Sequence, residues 1–281
     1  MCIRDRGTVN RLPVPPLSAP ARIGATGRLD LAERAGQLTG LAARHHGVNL
    51  VLGPVADIVG PGQPAPPPIG ERSFGSDPAE VAAMVAATIR GLHAGGVMAA
   101  AKHWPGHGRA TADSHVQLPT LAIGRDEWLM HEAQPFVAAI SEGVDAILSA
   151  HLIAPAVDEQ NQPASISSNA MGHLRHEASF DGLLITDALW MPGIRQGSRS
   201  DAQIAVSALE AGADCLLATP DPVGLRREIE TREDLRPRLE EAAGRLQTLR
   251  QRLAGREATA KPVDWATLTA EINADIARSQ R

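Results

Sequence analysis

Between Lys102 and His115 the chain reads Lys-His-Trp-Pro-Gly-His-Gly-Arg-Ala-Thr-Ala-Asp-Ser-His, three histidines and one lysine within 14 residues. His103 and His107 are four apart, a spacing that on a helix puts two imidazoles on one face, as in a metal site. Here Pro105-Gly106 lies between them and Gly108 follows, so no helix can run through, and neither a metal nor a cofactor is expected. A solvated polar loop is the plainest alternative, but the density of glycine and histidine argues against it. Asp113-Ser114-His115 offers specific chemistry. An aspartate two residues before a histidine can bend back and accept its ring N–H, which fixes the tautomer and stabilises the imidazolium. Such a histidine can donate and retrieve a proton near neutral pH, the work of a general acid/base. Asp187 is the natural partner. It closes the apolar run Leu183-Leu184-Ile185-Thr186 and precedes Ala188-Leu189-Trp190-Met191. A strand-end carboxylate is a candidate nucleophile or charge stabiliser; its structural alternative is a helix N-cap or a salt bridge.

These loops need elements to hold them, and the chain alternates apolar strands with amphipathic helices, the pattern of consecutive βα units. Helices are predicted over Leu29–His46, ending at Gly47, and from Pro78 to about Ala94, with Asp77 as N-cap. Further helices are predicted over Arg125–Glu142, Asn169–Ala178 and Asp201–Ala211, the last ending at Gly212. Strands are predicted at Asn49–Leu52, Val97–Ala101, Ala146–Ser149, Leu183–Thr186 and Cys215–Ala218. Four of these runs lead directly into Asp57, Lys102-His103, His151 and Asp187. In a parallel α/β barrel the C-terminal strand ends converge on one rim, where active sites are built. A doubly wound open sheet also places ligands at strand ends and stands as the architectural alternative.

The chain has 281 residues, and an eight-unit TIM (β/α)8 barrel typically needs about 250. Only five strands are legible, so the expectation is an incomplete barrel holding the last five strand–helix units and lacking the first three strands. Residues 1–6 (Met-Cys-Ile-Arg-Asp-Arg) read as an unrelated leader, 7–255 as the barrel domain, and 256–281 as a helical or loose tail. A Pro-rich loop spans Pro61–Pro68. Hydrophobic residues make up 43% and aromatics 2%, with no tyrosine, a composition suited to helices packed on a parallel sheet. The net charge of −5 comes without a basic stripe, so no nucleic acid is expected. No apolar run approaches the roughly 18 residues of a membrane span. Two cysteines and no secretory h-region point to the cytoplasm; a monomer is expected.

At these residues the chain resembles glycoside hydrolase family 3, in particular its single-domain bacterial β-N-acetylhexosaminidases. Their Lys-His-Phe-Pro-Gly-His-Gly followed by Asp-x-His is matched by Lys102–Gly108 and Asp113-Ser114-His115. Their Thr/Ser-Asp-x-Leu-x-Met is matched by Thr186–Met191. Gly53-Pro-Val-Ala-Asp57, Ile69-Gly-Glu-Arg72-Ser-Phe-Gly75, Ser149-Ala-His151 and Ala211–Leu217 add weaker, collinear matches, so that the likeness covers roughly Gly7 to Leu217. The resemblance implies a retaining glycosidase releasing terminal β-N-acetylglucosamine, with muropeptides derived from peptidoglycan as substrates. On that likeness Asp187 is the nucleophile, His115 held by Asp113 the acid/base, and Arg11, Arg72, Lys102 and His103 contact the sugar. A histidine in the acid/base role departs from the usual carboxylate pair. A second departure is Gly7-Thr-Val-Asn-Arg11, which keeps the family's arginine but lacks the aspartate that precedes it. Two further readings stand beside the hydrolase. One is a phosphorylase, in which phosphate replaces water. The other is an inactive, truncated fragment. A β-glucosidase is less expected, because those enzymes usually take the acid/base carboxylate from a second domain.

Overall fold

The computed structural model describes residues 2–4, 12–60, 69–110, 112–195, 197–254 and 264–280. Five strands form one sheet: β1 (Cys2–Arg4), β2 (Leu50–Leu52), β3 (Met98–Trp104), β4 (Ala146–Ser149) and β5 (Leu183–Thr186). They lie side by side in chain order, and every pairing is parallel. A doubly wound sheet reverses its order at a switch point; this one does not, and its topology is that of a barrel wall. The helices are α1 (Pro20–Gly24), α2 (Leu29–His45), α3 (Pro78–Ala94), α4 (Arg125–Met130), α5 (Ala133–Ser141), α6 (Ser168–Gly172), α7 (Asp201–Ala211), α8 (Pro222–Glu230), α9 (Arg236–Ala254) and α10 (Trp265–Ser279).

The pleat sends alternate side chains to opposite faces, and the two faces have different neighbours. Val51, Ala99, Ala101, Ile147 and Leu184 point outward and share a core with Leu31 and Leu38 of α2, Met84 and Val85 of α3, and Phe136 of α5. Leu52, Met98, Ala100, Ala146, Leu148, Leu183 and Ile185 point inward and pack against Leu249 of α9, flanked by Leu246 and Leu253. Continuing the same alternation, Lys102 follows Ala100 and Asp187 follows Ile185 on the inner face. Apolar residues thus fill the lower part of that face, and charged ones stand where the strands end.

Local chemistry explains most boundaries. The Asp77 carboxylate accepts the N–H groups of Ala79 and Glu80, and Pro78 opens α3, so the cap and the first helical residue are those expected. Ser200 and Gln203 form a reciprocal capping box on α7, which ends at Gly212 in the left-handed region (φ 114°). Helix α2 can lie close to α3 because Gly91 has no side chain: a Cβ there would sit 2.0 Å from the Glu33 carbonyl oxygen.

The structure departs from the sequence reading at several places. The helix expected over Arg125–Glu142 is broken into α4 and α5 at His131-Glu132. Pro135 is the reason, since it cannot donate to the His131 carbonyl and its ring clashes there. Cys2–Arg4, assigned to a leader outside the barrel, pairs in parallel with Leu50–Leu52, using the backbone groups that an edge strand leaves open. Cys215–Ala218 is not a full strand. Cys215 bridges to Ile185, but the Leu217 N–H then donates to the Thr186 hydroxyl (3.1 Å) and not to a backbone carbonyl, and Ala218 turns away at φ 49°. The tail read as helical or loose does carry a helix, α10, which is docked, with Ile272 and Ile276 buried and Asn273 accepting from Ser18 (2.8 Å). The Pro-rich stretch 61–68 and residues 255–263 lie outside the described residues.

Asp214 ties the last helices to the sheet. Its side chain is fully buried and accepts from the Leu184 N–H (2.9 Å) and Arg175 (2.5 Å), from Arg238, and from Arg245 (3.2 Å). Removing a buried ionic partner leaves its counter-charges unpaired at a cost of about 3–5 kcal/mol, and the partial exposure of these arginines puts the loss at the low end. Asp214→Ala is expected to lower the stability measured by urea unfolding by about 3 kcal/mol, and Asp214→Asn, which keeps the shape, by less.

Candidate active site

Where β2, β3, β4 and β5 end, a narrow cleft is lined by Leu52, Arg72, Lys102, His103, His107, Ser114, His115, Leu148, Asp187 and Leu217. Five of the residues singled out from the sequence, Arg72, Lys102, His103, His115 and Asp187, therefore meet on one surface. Asp113 stands behind His115. Arg11 lies outside the described residues. The cleft floor is made of leucines from the inner face of the sheet.

The arrangement is organised by Asp57, whose carboxylate is completely buried. Its Oδ1 accepts the backbone N–H groups of His103 (3.2 Å) and His107 (2.6 Å), and its Oδ2 lies 2.6 Å from His103 Nδ1. Burial raises the Asp57 pKa, but the neighbouring His103 and His107 and these donors outweigh it and hold the carboxyl below its ordinary range. An ionised carboxylate only accepts, so His103 carries its proton on Nδ1. Its Nε2 then faces Arg72, 3.5 Å from Nη2. Asp57 and His107 were not among the site residues assigned from the sequence. The available signal was a carboxylate inside the apolar run Val55–Ile58, where it needs partners to be tolerated.

His115 is held as its spacing predicts. Asp113 Oδ1 accepts both the backbone N–H and Nδ1–H of His115, each at 2.8 Å, which leaves Nε2 available for a reacting group. The loop itself is anchored by His107, whose Nε2 lies 3.0 Å from the Ser114 hydroxyl. Gly108 lets this loop sit against the chain after β2, because a Cβ there would lie 2.0 Å from the Ile58 carbonyl oxygen. Arg109 then pairs with buried Glu132 through two bonds of 2.5 and 2.8 Å, fixing the loop to the break between α4 and α5. His103 and His107 have their rings 6.1 Å apart at a near right angle, each committed to its own partner.

Asp187 is positioned by a relay. The Ser165 hydroxyl donates to His151 Nδ1 (2.7 Å), and His151 Nε2–H donates to the Ala188 carbonyl (3.0 Å). The Ala188 N–H in turn donates to Asp187 Oδ1 (2.8 Å). Burial raises the Asp187 pKa, but His103, His151, the Ala188 N–H and Lys102 reverse that and keep the carboxylate ionised below its usual range. His151 is pulled below the ordinary imidazole range by burial, against the pull of Asp187, and so is His103, against Asp57.

These directions set the pH dependence of stability. Unfolded imidazoles titrate near about 6.5. Folded His103 and His151 stay neutral to lower pH, so below about 6.5 the unfolded chain binds protons first and stability falls. The carboxylates Asp57 and Asp187 contribute stability above about pH 4 that is lost as pH falls through their lowered folded values. The urea midpoint is expected to be flat from pH 8 to 7, to decline from about 6.5, and to decline further below about 4. His151→Gln should weaken the first decline. A midpoint that rises between pH 6.5 and 5 would show that these imidazoles are not held neutral.

Comparison with known proteins gives this geometry its context. Residues 5–249 match the glycosyl hydrolase family 3 N-terminal domain. A beta-hexosaminidase of Pseudomonas aeruginosa is 37% identical over 193 residues, covering 68% of this chain and 56% of that protein. One of Tolumonas auensis is 36% identical over 225 residues, covering 79% and 64%. The chain thus spans a little over half to about two thirds of the curated relatives' length. Among solved structures, a glycoside hydrolase family 3 beta-N-acetylglucosaminidase from Paenibacillus superposes with a TM-score of 0.87 at 33% identity, over 99% of this chain and 56% of that one. A beta-glucoside phosphorylase superposes at 0.86 and 27% identity, over 98% and 54%. With the match to the family domain running from residue 5 to residue 249 and taking in β2, β3, β4 and β5, whose ends form the cleft, the chain belongs to glycoside hydrolase family 3.

Proposed function

We propose that the chain carries the catalytic face of a retaining β-N-acetylhexosaminidase acting on terminal β-linked N-acetylglucosamine. One observation carries the reading: the Asp187 carboxylate and the Asp113-held His115 line the same cleft, beside Arg72, Lys102 and His103. In the first step an Asp187 oxygen attacks the anomeric carbon as the bond to the leaving oxygen breaks. His115, its ring held through Nδ1 by Asp113, gives its Nε2 proton to that oxygen. In the second step His115 Nε2 takes a proton from water, the water oxygen attacks the anomeric carbon, and the bond to Asp187 breaks. Low basicity at Asp187 favours this second departure. In this reading Lys102, Arg72 and His103 Nε2 hold sugar hydroxyls, supported by their lining the same cleft, and orientation of that kind supplies a large part of the barrier reduction. The family resemblance extends the reading to muropeptides derived from peptidoglycan.

The test is hydrolysis of aryl β-N-acetylglucosaminides. Asp187→Ala is expected to lose about 10⁴-fold or more in kcat/KM. His115→Ala should lose about 10²–10⁴-fold with poor leaving groups, and much less with nitrophenolate, which departs without a proton. Equal hydrolysis by the parent and Asp187→Ala would remove the assignment.

The likeness to a beta-glucoside phosphorylase favours a second reading, in which a phosphate oxygen replaces water at the second step. An imidazole repels phosphate less than a carboxylate in the same place. Turnover in the presence of inorganic phosphate then yields N-acetylglucosamine 1-phosphate; if only free N-acetylglucosamine forms at saturating phosphate, the hydrolase reading stands alone.

A further inference from the structure

We infer that Trp190 and Val116 form an apolar platform for the aglycone, the part of the substrate that leaves with the proton from His115. The inference rests on the glycosidase reading and names a specificity-determining surface within it.

Most of the tryptophans are structural. Trp104 and Trp128 are buried, pack edge to face with ring centres 5.4 Å apart, and donate to the Ala170 and Pro105 carbonyls. Trp265 contacts His45 at 5.7 Å. Trp190 differs: it is 48% exposed, and among the described residues it has neither a ring contact nor a side-chain hydrogen bond. An exposed indole at a fixed place offers a large, rigid apolar face to a ligand.

Its place is fixed tightly. The turn that carries it begins at Asp187 and is clamped throughout: Ala188 accepts from His151 (3.0 Å), Leu189 N–H donates to Leu217, Met191 N–H to Ala188, and Gly193 N–H to Ser114. The last bond joins this turn to the loop of the acid/base dyad, where Val116, next to His115, is 72% exposed. Two of the most exposed apolar side chains are therefore borne by the segments that carry the nucleophile and the proton donor, and those segments are tied together. The proton donor must lie beside the leaving oxygen, so whatever is attached to that oxygen lies on the His115 side. A pyranose presents a face of axial C–H groups that buries well on an indole, with its hydroxyls left at the edge in water. The occupant that fits is the ring of a second sugar.

The experiment compares a substrate with a sugar aglycone and one with none. The β-1,4-linked disaccharide of N-acetylglucosamine carries the second ring; N-acetylglucosaminyl β-fluoride does not. Trp190→Ala is expected to lower the ratio of kcat/KM for the disaccharide to that for the fluoride about tenfold, with Trp190→Phe recovering part of it. An unchanged ratio overturns the platform. In an Asp187→Asn background, the disaccharide but not the monosaccharide should shift tryptophan emission to the blue, and Trp190→Phe should abolish the shift. If the parent cleaves neither substrate, the glycosidase reading fails. The emission titration still decides the platform: a shift that survives Trp190→Phe overturns it.

Discussion

A carboxylate with no access to water is expensive, by several kcal/mol, unless every oxygen is engaged. Asp57 meets that condition with three donors, two of them backbone N–H groups from either side of Pro105-Gly106. One side chain after β2 thus dictates the path of the chain after β3. It turns His103 so that Nε2 faces Arg72, and it sets His107 where it can hold Ser114. The Asp113–His115 pair is the far end of that sequence of contacts. A neutral amide in place of Asp57 could not accept from all three.

The division of the sheet into two faces explains how a chain so poor in aromatic residues supports a charged site. Outward residues carry most of the packing with the helices. The inner face needs little from them and is closed below by leucines of α9. Above that floor, Lys102 and Asp187 occupy the next inward positions on β3 and after β5. Their opposite charges share a low-dielectric setting, and this proximity is one of the effects that keep Asp187 ionised.

The sequence made the local parts of this design readable. Asp77-Pro78, Ser200 with Gln203, and Gly212 announce their helices because a cap depends on residues a few positions away. Asp113-Ser114-His115 was readable for the same reason: the contact spans two residues. Asp57 was visible as a carboxylate within an apolar run and as the close of a weak family match, but its part in the site was not, because its partners lie 46 and 50 residues on and two are backbone groups without a residue signature. The Ser165–His151–Ala188 relay is hidden likewise, since its acceptor is a carbonyl. Pro135 could have revealed the break at His131, but amphipathic periodicity runs through it and dominated the reading. Cys2–Arg4 has too few residues to carry any period at all.

The contact between Gly193 and Ser114 has a mechanical meaning. A Cβ on Gly193 would lie 2.7 Å from the Ser114 carbonyl oxygen and 3.2 Å from that of Gln117. The absence of one methyl group therefore sets how near the turn after Asp187 can come to the loop before His115. Glycine acts there as a spacer of minimum thickness. The width of the cleft between Asp187 and His115 is gauged at a residue that does not line it, and thickening that residue would widen the jaws without blunting either tooth.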